Sequence, residues 1–341
     1  MGANPTLPPD GGLMDETLSV QFAPVGRLAV LLAAGDDDVT WVVDPDLVAT
    51  AAAMVGGYET TAGATGTQAA DAARFVGDLS RTLSSATDVR QAPSADPDVG
   101  GAQAAGLDAG IVDVALSPRE SSDALADLLG EPVGTMALLP DRPVTEGMLA
   151  AYADAGIGTV ALSSTAVQGS DGKPVATLLL SNGTEVASVA THPVPERPPD
   201  ADPEIGARQW MLSATAGLVE GADGSSAGHV IAPPRRWDVA TQTAEALVSA
   251  WRTSPWVAPT PLSGLEVSDS PVSLADGGSP APLAEPLSRG MTALLDDAQR
   301  LQPLFPEPVL DPGDAGATVS RTISTAWQGA PEQGVAYLEA T

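Results

Sequence analysis

The chain contains no cysteine. That excludes disulfides, thiolate metal sites and a cysteine nucleophile, and leaves the redox compartment open. Histidine occurs only twice, as His192 and His229. A zinc deacetylase needs two His at helical spacing plus an Asp. His192 lies in a Pro-rich stretch and His229 opens a buried strand, far away in sequence, so no metal site is expected. Positive charge is scarce, with 15 basic against 44 acidic residues and a net charge of -29. That balance argues against a nucleic-acid or anionic-membrane surface and reads as solubility. The best apolar run, Leu28–Ala34, is far shorter than the roughly 18 residues of a membrane span. Met1–Gly12 has neither a basic start nor an apolar core, so no signal peptide is expected there. No Gly-x-Gly-x-x-Gly follows a strand and no Walker loop exists, so no nucleotide cofactor is expected. A Gly-x-Ser-x-Gly nucleophile elbow is missing too.

What is present is a repeated strand–turn–helix step. Val39-Thr40-Trp41-Val42-Val43 is a β-branched and aromatic run. Asp44-Pro45 ends it, and an Ala-rich run to Val55 follows. Asp before Pro suits an N-cap and first helical turn. The unit recurs at Val89–Ala92, Ala95-Asp96-Pro97-Asp98 and the Ala-rich stretch to Leu107. Further strands are expected at 110–114, 133–139, 159–162 and 230–232. Helices are expected at 25–34, 67–84, 121–129, 145–155, 204–219 and 241–252. Asn182-Gly183 between 174–180 and 184–189 predicts a hairpin with a type I′ turn. The alternation predicts an α/β fold with parallel strands and surrounding helices, either an open doubly wound sheet or a barrel; short, similar strands without a glycine fingerprint favour the barrel. Residues 1–24 read as an extended lead, 25–257 as the barrel and 258–286 as a Pro/Ser/Gly-rich passage. C-terminal helices fill 287–341, whose abrupt end suggests a segment of a longer protein.

Taken in order, Gly26-Arg27-Leu28, Val39 to Pro45, Ala95-Asp96-Pro97-Asp98, Pro233-Pro234-Arg235-Arg236-Trp237-Asp238, Ser254-Pro255-Trp256 and Ser324-Thr325-Ala326-Trp327 resemble a family. It is the family of actinobacterial envelope proteins encoded beside the MurJ/MviN lipid II flippase. The resemblance covers most of residues 20–330. It implies an extracytoplasmic, membrane-anchored protein of the cell envelope, anchored through segments outside this chain. It implies that the central region is an incomplete (β/α)7-type barrel similar to those of polysaccharide deacetylases and some glycoside hydrolases. It also implies an apolar strand ahead of residues 10–26, where this chain has none, so the first barrel strand is either missing or replaced.

In βα barrels, ligands bind at the C-terminal ends of the strands. Asp44, Asp96, Asp98, Asp141 and Asp238 all follow expected strands. Two carboxylates across a barrel mouth can hydrolyse a glycoside, and Asp44 with Asp96 or Asp98 is the best pair. Helix capping is the competing reading for each. Arg235, Arg236 and Trp237 form a rare basic doublet beside an aromatic. The Arg pair can fork onto a carboxylate or phosphate while Trp stacks on a sugar; an ion pair with acids of the same rim is the competing reading. Asp141 joins this ligand-binding group. With the barrel pattern and the missing metal set, the resemblance implies a non-catalytic barrel that binds cell-wall glycan or a lipid-linked precursor during peptidoglycan assembly, with a MurJ-type flippase or other envelope proteins as partners. The alternatives are a glycoside hydrolase or a protein scaffold, and a mouth plugged by its own side chains would favour the scaffold.

Overall fold

The computed structural model describes residues 1–7, 12–35, 38–117, 121–139, 141–169, 173–194, 202–221, 228–235, 237–275, 278–304 and 312–340. In chain order its elements are α1 (Thr17–Phe22), α2 (Arg27–Ala34), β1 (Thr40–Val43), α3 (Pro45–Val55), α4 (Ala69–Ser85), β2 (Asp88–Gln91), α5 (Val99–Ala104), α6 (Ala109–Leu116), α7 (Ser121–Leu129), β3 (Gly134–Leu139) and α8 (Glu146–Asp154). They continue with β4 (Thr159–Ser163), β5 (Val167–Gln168), β6 (Val175–Leu179), β7 (Glu185–Pro193), α9 (Pro203–Gly221), β8 (Val230–Ala232), α10 (Thr241–Thr253), β9 (Ser273–Leu274), α11 (Glu285–Leu301), α12 (Pro312–Thr322) and α13 (Pro331–Glu339).

Six parallel strands, ordered β1-β2-β3-β4-β7-β8, curl into a half-barrel with helices outside. The incomplete barrel is thus the observed fold. Side chains alternate across the strands, as a period of two requires. Val42, Met136, Leu138, Ala161, Val189 and Val230 share the small inner cluster. Trp41 and Val43 face α3 and α4, and Ala137, Leu139, Val160 and Leu162 face the helices around β3 and β4. β6 runs antiparallel along the first half of β7, and β8 takes over at Thr191–Pro193. The free edge of β1 carries backbone from the start of the chain. The Met1 amine donates to the Val42 carbonyl, and the Asp44 N–H donates to the Met1 carbonyl at 2.8 Å.

Several local expectations change. Residues 110–114 are not a strand but the core of α6. Asp108 caps that helix through the Gly110 N–H, and Ile111, Val112, Ala115 and Leu116 form its buried stripe. Their spacing suits a helix, and the packing overrides the β-branched composition. The lead expected to be extended contains α1, whose Leu18 and Phe22 join the core beside α3 and α4. Thr17–Ala34 is apolar on average, with a mean hydropathy of 1.5 over 18 residues. It is broken into α1 and α2, each too short to cross a bilayer. Only Gly183 has a positive φ at the β6–β7 turn, and its N–H donates to Leu180; a type I′ turn would need Asn182 there too. His192 belongs to β7, not to a loop.

The Pro-rich passage packs along the barrel. Leu262 joins the inner cluster. The Leu262 N–H donates to Thr40 Oγ1 and the Ser263 N–H to Asp88 Oδ2, so this turn covers the N-terminal end of the strands. Val272 exchanges hydrogen bonds with Thr177 and Leu179 of β6, and β9 pairs with β5.

Candidate functional site

The first strand delivers Asp44 to the C-terminal face, and Pro45 starts α3 there. Asp44 Oδ1 caps that helix by accepting from the Asp46 N–H at 2.9 Å, and it also accepts from the Ala95 N–H at 3.0 Å. Burial pushes the Asp44 carboxyl up to about 7, and the neighbouring Asp46 adds to the rise. The two N–H groups pull the other way without cancelling it. Two residues on, Asp46 pairs with Arg321, whose Nε and Nη2 each lie 2.7 Å from Asp46 Oδ1. Burial lowers the Arg321 pKa, but Asp46 and Tyr337 more than offset that, leaving it raised.

The loop after β2 holds two consecutive non-glycine residues in the left-handed region, Ala95 at φ 56° and Asp96 at φ 51°. Such residues cost about 1–3 kcal/mol each and persist only where the surroundings hold them. Here residues 320–328 do the holding. Ser324 Oγ donates to the Ala95 carbonyl at 2.6 Å, and the Thr325 N–H donates to the Asp96 carbonyl at 2.9 Å. The Asp98 N–H donates to the Ile323 carbonyl at 2.7 Å. Asp96 does not cap the following helix. Its carboxylate accepts from Arg235 Nη1 and, at 2.5 Å, from Thr325 Oγ1. Asp98 caps α5 through the Gly101 N–H at 3.0 Å. It also accepts from Gln328 Nε2 at 2.6 Å and Arg142 Nη1 at 3.4 Å. Asp44, Asp46 and Asp98 are all buried.

Arg235 follows β8, Asp96 follows β2 and Asp141 follows β3. Arg235 therefore reaches across the mouth: Nη1 bonds Asp96, and Nε lies 4.0 Å from Asp141 Oδ1. The fork geometry of guanidinium suits this role. Arg236 lies outside the described residues. Trp237 packs with Val30, Val194, Ala207, Met211 and Leu247, so its ring is part of a core cluster and not a stacking face beside Arg235. Asp238 is exposed.

Sequence reasoning found the strand-end acids but not their partners Arg142, Arg321, Thr325 and Gln328. Nothing local marks those four. What stays open on this face is a cavity of about 560 Å³ bordered by Asp98, Arg142, Met148, Pro280, Trp327 and Gln328. A second, of about 260 Å³, is bordered by Asp141, Arg142, Ser163, Thr165 and Ala275. Both are lined by Asp141, Arg142 and Pro143, so they make one interrupted groove. Its Pro280 wall lies against Gly100, where a Cβ would come within 2.9 Å of the proline ring, so only glycine fits. Polar groups set among apolar walls are the general make-up of a small-molecule site. Among the described residues no group of three or more His, Asp or Glu is arranged to hold a metal ion.

No family model matches the chain, and no curated protein matches it by sequence. Solved structures do match in fold. The novel α-amylase AmyC from Thermotoga maritima superposes with a TM-score of 0.58 at 8% identity, over 99% of this chain and 90% of that one. An exo-type maltose-forming amylase from Pyrococcus sp. ST04 gives 0.46 at 10% identity, over 77% of this chain and 44% of that one. The 4-α-glucanotransferase from Thermococcus litoralis gives 0.45 at 10% identity, over 96% of this chain and 53% of that one. At these identities the likeness is one of fold: the chain has an amylase-like α/β barrel architecture.

Proposed function

We propose that this chain is a glycan-binding barrel without hydrolytic activity, part of a membrane-anchored cell-envelope protein. On this reading it acts outside the cytoplasm on cell-wall glycan or a lipid-linked precursor, near a MurJ-type flippase. The fold shared with a protein named as an α-amylase supports a glycan ligand. The observation that carries the absence of hydrolysis is the state of the acids. Glycoside hydrolysis needs one carboxyl free to give a proton and another free to attack or to activate water. Asp44, Asp96 and Asp98 each already accept two or more hydrogen bonds from their own chain. The groove along Asp141-Arg142-Pro143 remains for a ligand. Arg142, Gln328 and Asp141 would meet hydroxyls there, and Met148 and Pro280 an apolar sugar face.

The test is a binding titration with soluble muropeptides, lipid-linked precursor in detergent and malto-oligosaccharides, with reducing-end release followed in parallel. A cell-wall ligand is expected to bind, to be weakened by Asp141→Ala and Arg235→Ala, and to be recovered intact. Released reducing ends would end the non-hydrolytic reading. Equal binding by both variants and the parent would remove the site.

A second reading, a protein scaffold of the cell-wall machinery, has one observation in its favour. The strand ends of β1 and β2 are filled by side chains from residues 320–328. Binding of an envelope protein without any glycan binding would favour it.

A further inference from the structure

The two histidines, distant in sequence, meet in the fold. β7 and β8 pair in parallel with Thr191 opposite Val230 and His192 opposite Ile231. Continued back by one residue, that register sets Ala190 opposite His229. Ala190 and His192 share a face of β7, so His192 and His229 are diagonal neighbours on one face of adjacent strands. The small Ala190 leaves room between the rings. Their centroids lie 5.4 Å apart, with the planes inclined by 61°. Two imidazoles bound to one ion, with metal–nitrogen bonds of about 2.0–2.1 Å, place their ring centres about 4.5–5 Å apart between square-planar and tetrahedral angles, so a small turn of the exposed His229 ring suffices.

A second observation concerns orientation. Ser163 of β4 pairs with Thr191 of β7, so Ser164 falls beside His192. Ser164 Oγ lies 3.4 Å from His192 Nδ1. A hydroxyl that accepts from the Nδ1–H fixes the tautomer and leaves Nε2 with a free lone pair, as an outer partner does for a metal-bound His. Burial lowers the basicity of both rings, and at His229 the neighbouring His192 lowers it further. Metal binds the neutral imidazole, so the ion and the proton compete for the same nitrogen. His229 is exposed and His192 half-buried, so an ion has access.

We propose that His192 and His229 form a two-imidazole site for a divalent transition-metal ion, Cu²⁺ ahead of Zn²⁺, on the helix-facing side of the sheet. The order of ions follows from imidazole ligation, for which Cu²⁺ leads the divalent first-row series. Among the described residues no third His, Asp or Glu joins them. Water or an added ligand completes the coordination. The proposal does not depend on the glycan reading.

The experiment uses the full chain without a histidine tag. Cu²⁺ is titrated at about 0.15 M ionic strength, which screens the many surface carboxylates. Calorimetry reads the stoichiometry, and electron-spin-echo modulation counts the imidazoles on the ion. One ion bound by two imidazoles is the expected result. His229→Gln leaves one imidazole and weakens binding, and Ser164→Ala weakens it by roughly tenfold. His229 is on the surface, so its variant decides the matter even if His192→Gln fails to fold. No saturable Cu²⁺ binding, or one imidazole in the parent chain, or an unchanged signal in His229→Gln, overturns the proposal.

Discussion

At the ends of β1 and β2, the side chains of Asp46 and Asp98 are only 6% and 4% exposed, under Arg321, Thr325 and Gln328. At the end of β3, the Asp141 side chain is 48% exposed, and Ser163 and Thr165 at the end of β4 border an open groove. The half of the C-terminal face at β1 is closed by its own chain, Asp98 after β2 lies at the border of the larger cavity, and the half at β3 and β4 faces solvent. Arg235 bridges the two. An acidic residue at a strand end therefore has two fates in this fold. Where a later segment supplies a cation, it becomes structure. Where the cation stays at 4.0 Å and the carboxylate is half-exposed, as at Asp141, it stays available to a ligand.

The comparison can be broken most directly at Arg321. Arg321→Met leaves Asp46 charged and buried without a partner, and about 3–5 kcal/mol of stability is expected to be lost in urea unfolding. Adding Asp46→Asn should recover most of it, whereas Asp141→Asn in the open half should change stability by less than about 0.5 kcal/mol. Equal losses in the two halves would dissolve the distinction.

Next in size is the pH response of Asp44. Its carboxyl has a pKa of about 7 in the folded chain, against about 3.9 unfolded. Between those values the folded chain holds a proton that the unfolded chain releases. The Asp44 contribution to stability is therefore complete below about pH 4 and lost as pH rises to about 7. Asp44→Asn keeps an oxygen for the Asp46 and Ala95 N–H groups and removes the proton. The parent's stability relative to this variant should fall by about 2–4 kcal/mol across that window. A parallel pair of stability–pH curves would show that Asp44 is not protonated. The smallest effect is at Ala95, φ 56°. Ala95→Gly should raise the melting temperature, by about 0.5–1 kcal/mol of stability, because glycine adopts that backbone freely.

The sequence made the strand–turn–helix steps legible wherever the determining forces were local. Val39–Asp44 reads as a strand with a cap, and Asp44 caps α3 as expected. Period-two burial and Ala-rich helices carried the barrel. Composition misled at 110–114, where Ile and Val favour a strand and only packing against the core makes a helix. It misled again at Asp96-Pro97-Asp98, where either acid could cap and a distant arginine decided which one does. For the candidate site, strand-end position was readable and chemical availability was not. Availability depended on Arg321, Thr325 and Gln328, more than 220 positions away from their partners. The histidine pair was hidden in the same way, since only the β7–β8 register brings the rings together.

Those separations also bear on how the chain comes into being. Asp46 meets Arg321 across 275 positions, and Asp98 meets Gln328 across 230. During synthesis β1 and β2 emerge first, yet the segment that seals their ends is made only after every other strand of the sheet. Contacts this remote slow folding, because a long loop must close before they form. Until then Asp44, Asp46 and the left-handed Ala95–Asp96 turn have no cover. The nascent chain thus passes through a stage in which its earliest strands present buried-type carboxylates to water, and completion of the fold waits on residues 318–328.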